Sequence, residues 1–228
     1  MSLDEQEREG SERTEAQKLQ YVATRENYDR AVDWHEQKSD SYDWSTQRSK
    51  FLAGLPGTRI LDAGCGTGRD IGAFLEAGTK VEGMDFSKAS LERVQEKYPG
   101  VPVFEGDLRE TLEQDEGAYD GIWACAAILN LSKADGKHAL REFYRLLTES
   151  GKLFVSVKAG EGERMVSDQA GERLFSFYSP EELRALVSEA GFDVDEVTEA
   201  SDEELTGVKG TSEKPGWICL YAEKKAKR

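Results

Sequence analysis

The chain has 228 residues, 38% of them hydrophobic and 33% charged, with a formal net charge of −15 and a pI of about 4.7. That length holds one large domain with a real core, and no apolar run approaches the roughly 18 residues of a membrane span. So acidic a balance repels phosphate backbones and argues against duplex nucleic acid as a partner. Three cysteines (Cys65, Cys125, Cys219) stand far apart with no C-x-x-C, which argues against a zinc site and fits a reducing cytoplasm.

Residues 1–15 are polar and acidic without a secretory apolar segment, and they read as a frayed tail. From 16 to 55 the pattern is helical, with Tyr21, Tyr28, Trp34, Tyr42 and Trp44 set among charges. This cap is expected either to pack on the main domain, 56–228, or to roof a site, because aromatic faces attract cations and apolar molecules.

Arg59–Ala63 reads as a buried strand. Gly64, Gly66 and Gly68 follow at alternate positions, and an amphipathic helix then opens with Ile71, Phe74 and Leu75 and ends near Gly78. Bare glycines let backbone N–H groups approach a ligand, and a helix N-terminus adds partial positive charge. The turn therefore suits a nucleotide-like ligand with an anionic end. A dinucleotide fingerprint would need its third glycine at position 69, where Arg69 stands.

Lys80–Met84 is the second strand, and it ends at Asp85, roughly 20 residues past the glycine turn and placed to accept ribose hydroxyls. Ser87 should cap the next helix. Val101–Phe104 is the third strand, and Gly106-Asp107-Leu108 is a turn. Tyr119–Cys125 is the fourth strand. Ser132 and Asp135 open a helix whose apolar face is Ala139, Leu140, Phe143 and Leu146, with His138 on its surface and Gly151 at its end. Lys152–Lys158 is the fifth strand, and 160–178 is an irregular hairpin or lid. Ser179-Pro180-Glu181-Glu182 starts a helix that stops at Gly191. Phe192–Thr198 and Trp217–Ala222 are the last strands, joined without a helix through 199–204 and 210–216. Residues 224–228 form a solvated tail.

The D-x-G-x-G-x-G arrangement at Asp62–Gly68, with Asp85, the Asp107 turn and the run from Asp120 to Asn130, resembles the motifs of class I S-adenosylmethionine-dependent methyltransferases. The resemblance covers roughly residues 59–224. It implies an α/β, Rossmann-like seven-stranded sheet of order 3-2-1-4-5-7-6, strand 7 antiparallel, with helices on both faces. It implies S-adenosylmethionine as cofactor and S-adenosylhomocysteine as product. The cofactor would lie against Asp62, Ala63, Gly64, Cys65, Gly66 and Gly68, then Asp85, Phe86 and Ser87, then Asp107, Leu108 and Ala124. In that scheme Asp107 accepts from the adenine amino group, Leu108 offers its N–H to the ring, and Ala124 passes under the methionine portion. The N/D-P-P-Y motif of exocyclic-amine enzymes is absent, since Ala124-Cys125-Ala126-Ala127 occupies its place. A further likeness to enzymes of the ubiquinone and tellurite-resistance type favours a small-molecule acceptor.

Transfer from a sulfonium is an in-line displacement, so alignment and water exclusion matter more than a catalytic triad. A base is needed only for a nucleophile whose proton has a high pKa. His35, Tyr28 and Tyr178 are the candidates. Asn130 stands where many relatives carry histidine, and it either orients a substrate or caps the following turn. Tyr28, Trp34 and Lys158 are assigned to the acceptor. The competing readings are a non-catalytic cofactor-binding or regulatory subunit and an RNA methyltransferase.

Overall fold

The computed structural model describes residues 13–209 and 215–225. The expectations for 1–12, for 210–214 and for 226–228 lie outside the described residues. Residues 13–15, at the end of that expected tail, make defined contacts. Arg13 Nε donates to Asp135 (2.8 Å), and Thr14 caps the first helix in a capping box with Gln17.

Among the described residues three helices come first: α1 (Glu15–Arg30), α2 (Val32–Asp40) and α3 (Ser45–Ala53). Then come β1 (Arg59–Ala63), α4 (Ile71–Glu76), β2 (Lys80–Asp85), α5 (Lys88–Lys97), β3 (Val103–Glu105) and β4 (Tyr119–Cys125). A 3₁₀ turn at Ile128–Asn130 leads into α6 (Lys133–Leu146), which feeds β5 (Leu147–Ala159). The chain closes with β6 (Glu163–Asp168), β7 (Gly171–Tyr178), α7 (Pro180–Glu189), β8 (Phe192–Ser201), α8 (Asp202–Thr206) and β9 (Pro215–Lys224).

The strands β3-β2-β1-β4-β5 are parallel neighbours, β9 joins β5 antiparallel, and β8 lies outside β9. This is the expected seven-strand order, with its last strand reversed. Two further strands bring the sheet to nine. β6 and β7 form a hairpin, and β7 runs parallel to β5 over Lys158↔Phe177 and Ala159↔Tyr178. Lys158 also pairs with Trp217 on β9, so β7 takes the other edge of β5, the side β4 vacates after Cys125. The hairpin thus stands over the carboxyl end of the sheet.

Several boundaries differ from the reading of the sequence. β3 starts at Val103 because Pro102 has no N–H to give; its carbonyl instead accepts from Gly83 (2.9 Å). No helix separates β3 from β4. α6 ends at Leu146 and runs straight into β5, with Ser150 in a left-handed turn (φ 62°), so Gly151 lies inside the strand. A short helix does stand between β8 and β9. Ser201 and Glu204 form a capping box, three acidic residues fill its first turn, and Gly207 ends it at φ 67°. His138 is half-buried, with Nε2 covered and unbonded.

The core centres on Trp123 of β4, stacked on Phe154 of β5 with centroids 3.9 Å apart. Phe51 of α3 (5.3 Å) and Phe74 of α4 (5.7 Å) close on the same indole. These four rings are all but fully buried, and burying each contributes on the order of 2–3 kcal/mol. They seat the third cap helix on the sheet.

Candidate functional site

A cavity of about 460 Å³ opens at the carboxyl ends of β1, β2 and β4, under α1, α2 and the β6–β7 hairpin. This is where open parallel sheets place ligands.

At one end lies the glycine turn. Gly64 (φ 76°) is required by packing, because a Cβ there would come within 2.7 Å of the Ala127 Cβ. Gly66 (φ 53°) has nothing within 4 Å of where a Cβ would sit, so its missing side chain leaves space on the cavity side. The N–H groups of residues 64, 65, 66 and 68 are already bonded within the protein. Gly64 and Cys65 N–H donate to Met84 O (2.7 and 2.9 Å), and Gly68 N–H donates to Cys65 O (3.0 Å). Gly66 N–H donates to Asp85 Oδ2 (2.8 Å). The turn offers room rather than an anion-binding nest. Its neighbours are carboxylates: Asp62, Asp85 and Asp107 all line the cavity.

Asp85 is 5% exposed, and its other oxygen accepts from Ser87 N–H (2.8 Å). Burial outweighs these backbone bonds and pushes its pKa up to about 6. Asp62 is buried with Oδ2 unbonded, and burial together with nearby Asp70 holds its pKa well above the usual carboxylate range. Asp107 sits below that range: although burial opposes it, the Arg109 guanidinium (Nη2 at 2.7 Å) and the Tyr21 hydroxyl favour its charge. Asp70 stands at the N-cap of α4 but does not cap it. Its carboxylate turns inward to Arg48, to Arg69 Nη2 (2.5 Å) and to Trp123 Nε1 (2.9 Å).

The other end is aromatic. Tyr28 of α1 stacks on His35 of α2 with centroids 4.0 Å apart. Tyr28 Oη donates to Asn130 Oδ1 (2.8 Å), and Asn130 Nδ2 donates to Leu174 O (2.7 Å). Asn130 is therefore a strut that fixes Tyr28, with both ends occupied. His35 Nε2 bonds Asn27 Oδ1 (2.7 Å), and Asn27 Nδ2 donates to Ala170 O (2.7 Å), so Nε2 carries the imidazole proton. Burial, with Arg173 nearby, lowers the His35 pKa to about 4. The Tyr28 pKa is raised, above all by burial. At neutral pH the imidazole is uncharged and the phenol keeps its proton.

Among the residues expected at the site, Asp62, Gly64, Cys65, Gly66, Asp85, Phe86, Asp107 and Leu108 line the cavity, as do Tyr28, Trp34, His35, Asn130 and Lys158. Five do not. Ala63 and Ala124 are fully buried within their strands, and the wall after β4 is formed by Cys125, Ala126 and Ala127 instead. Gly68 faces Val94 and Tyr98 of α5 and its end. Ser87 is spent capping α5 and donating to Asp29 (2.8 Å). Tyr178 is fully buried, with its hydroxyl toward Gly136 of α6. In β7 the alternation runs Leu174, Ser176, Tyr178 inward and Arg173, Phe175, Phe177 toward the cavity. Arg173, Phe175 and Phe177 were not anticipated. The period-two pattern of 173–178 was the available signal, once that stretch is read as a strand.

Residues 60–151 match a family described as a methyltransferase domain. The chain is 29% identical over 105 residues to a demethylmenaquinone methyltransferase of Renibacterium salmoninarum, covering 46% of this chain and 43% of that protein. It is 31% identical over 133 residues to a malonyl-[acyl-carrier protein] O-methyltransferase of Pectobacterium atrosepticum, covering 57% and 51%. The chain thus spans about half the length of these curated relatives. Among solved structures, a 1,6-didemethyltoxoflavin-N1-methyltransferase of Burkholderia thailandensis superposes with a TM-score of 0.73 at 21% identity, covering 95% of this chain and 93% of that one.

Proposed function

We propose that this chain, whose residues 60–151 match a methyltransferase domain, acts as a class I S-adenosylmethionine-dependent methyltransferase on a small-molecule acceptor held between the cap helices and the β6–β7 hairpin. The carrying observation is the division of one roofed cavity into a carboxylate-lined end with bare main chain at Gly66 and an aromatic end.

The residues present fit the cofactor. S-adenosylmethionine supplies a methyl group already activated by its sulfonium charge. Asp62, buried with an unbonded oxygen, would take the ammonium of the methionine portion, and Asp85 the ribose hydroxyls. Asp107 and Leu108 would border the adenine, and Gly66 leaves room for the adenosyl moiety. The carboxyl groups at the glycine-turn end suit the ammonium and hydroxyl donors of this ligand.

The remaining residues align the acceptor and exclude water. Tyr28, fixed by Asn130, and Trp34 give it flat apolar walls, with Lys158 on the far side. Lys158 is itself held on the Trp217 face (3.9 Å) and by Asp202 (3.0 Å). His35, with its pKa near 4, is a weak proton acceptor. The reading therefore favours an acceptor that arrives with its lone pair free over one deprotonated in place.

Incubating the protein with methyl-labelled S-adenosylmethionine and a metabolite extract should move label into a small-molecule fraction. Tight cofactor binding with no label in any fraction would support a binding subunit instead. Label in RNA alone would overturn the small-molecule reading.

A further inference from the structure

Arg173 is the one cation of the β6–β7 hairpin that reaches the cavity among the described residues. It is 7% exposed, on a wall shared with Asp168, Phe175, Phe177, Val166 and Trp34. Its guanidinium lies 5.5 Å from the Tyr28 ring centroid, 5.5 Å from that of Trp34 and 5.2 Å from that of Phe175. Asp168 pairs with Nη2, and Nη1 donates to the Tyr28 hydroxyl (3.3 Å). The Nε donor is covered from solvent and has no hydrogen-bond partner. A buried donor left unpaired is costly, and a ligand that accepts from it would remove that cost. Lys158 does not offer the same opening, because its ammonium is already held by Asp202 and the Trp217 face.

We propose that the acceptor is a flat conjugated acid, and that Arg173 is the specificity-determining residue that receives its carboxylate. The inference rests on the methyltransferase reading of the same cavity and names its substrate class. The rings of Tyr28, Trp34 and Phe175 supply the flat walls, and the guanidinium supplies a directional donor at their edge. Asp168 anchors the guanidinium through Nη2 and leaves Nε for the ligand.

The test uses the full chain saturated with S-adenosylhomocysteine and titrates nitrogen-heteroaromatic carboxylates, whose ring nitrogen carries a free lone pair, against their matched primary amides by calorimetry. The acids should bind at least about tenfold more tightly than the amides, the range of a charge-assisted hydrogen bond. Arg173→Gln should erase that preference, bringing the acids down to the level of the amides, while leaving S-adenosylhomocysteine affinity unchanged. Arg173→Lys keeps the charge without the planar fork and should retain part of the preference; it also serves where the glutamine variant does not fold. If the cofactor product binds but acids bind no better than amides, or none of the acids binds, the carboxylate assignment is overturned. If the cofactor product itself does not bind, the underlying methyltransferase reading has failed instead.

Discussion

Asp85 carries the sharpest residue-level consequence. With its pKa at about 6, it is largely protonated at pH 5 and largely ionised at pH 7, and ribose hydroxyls donate to the ionised form. Affinity for S-adenosylmethionine should therefore rise about tenfold between those pH values. Asp85→Ala should abolish that dependence and weaken binding by about 1–3 kcal/mol. Calorimetry across pH reads both, and a flat profile in the native chain would deny Asp85 the ribose role. Gly66 differs from Gly64 in what it avoids. Gly66→Leu meets no protein atom nearby but adopts a left-handed backbone, at a cost of about 1–2 kcal/mol. The variant should stay folded by thermal melt and lose cofactor binding. Collapse of the fold would show that the glycine serves packing.

At the scale of elements, the roof holds together through a few buried polar ties. Thr24 of α1 accepts from Leu174 N–H of β7 (3.1 Å) while donating to Gln20 O (2.8 Å). Thr24→Val keeps the shape and strands the Leu174 N–H, which should cost about 1–3 kcal/mol. Hydrogen exchange at Leu174 should quicken well before β4 or β5 changes; unchanged protection would remove Thr24 as the tie. Helix starts such as Ser87, Ser132 and Ser179 were legible because each hydroxyl accepts from the residue three ahead. The stretch 160–178 was legible as an irregular hairpin or lid, but its strand bounds and its partners were not. Its β7 strand is defined by pairing with residues 158 and 159 and by packing against α1, both distant in sequence.

The whole molecule is joined across layers by Asp70, which links Arg48 of α3, Arg69 and the Trp123 indole of β4. Asp70→Ala leaves two arginines facing a buried gap and should cost about 3–5 kcal/mol in urea unfolding; a loss under 1 kcal/mol would contradict this. Two buried groups also set opposing pH slopes. The His35 pKa in the folded chain is about 4, below the ordinary 6.5, so the unfolded chain takes up the proton first and stability falls from pH 6.5 toward 4. The Asp85 pKa of about 6 lies above the ordinary 3.8, so the native state holds that proton more tightly and stability rises from pH 6 toward 3.8. Removing the second slope with Asp85→Asn should make acid destabilisation steeper than in the native chain. Parallel curves would show that Asp85 does not titrate as described.

By itself the sequence determined the parallel strands, the glycine turn and the acidic residues at the strand ends, because apolar runs, glycine spacing and capping residues act over a few neighbours. Tertiary structure alone decided which glycine faces the cavity, that the N–H groups of Gly64, Cys65, Gly66 and Gly68 are spent internally, that Tyr178 points into the core, and that Arg173 reaches the cavity. Those outcomes depend on contacts between residues such as Gly64 and Ala127, or Tyr28, Asn130 and Arg173. The direction of a side chain is set by what packs against it, and these partners lie tens of residues or more apart along the chain.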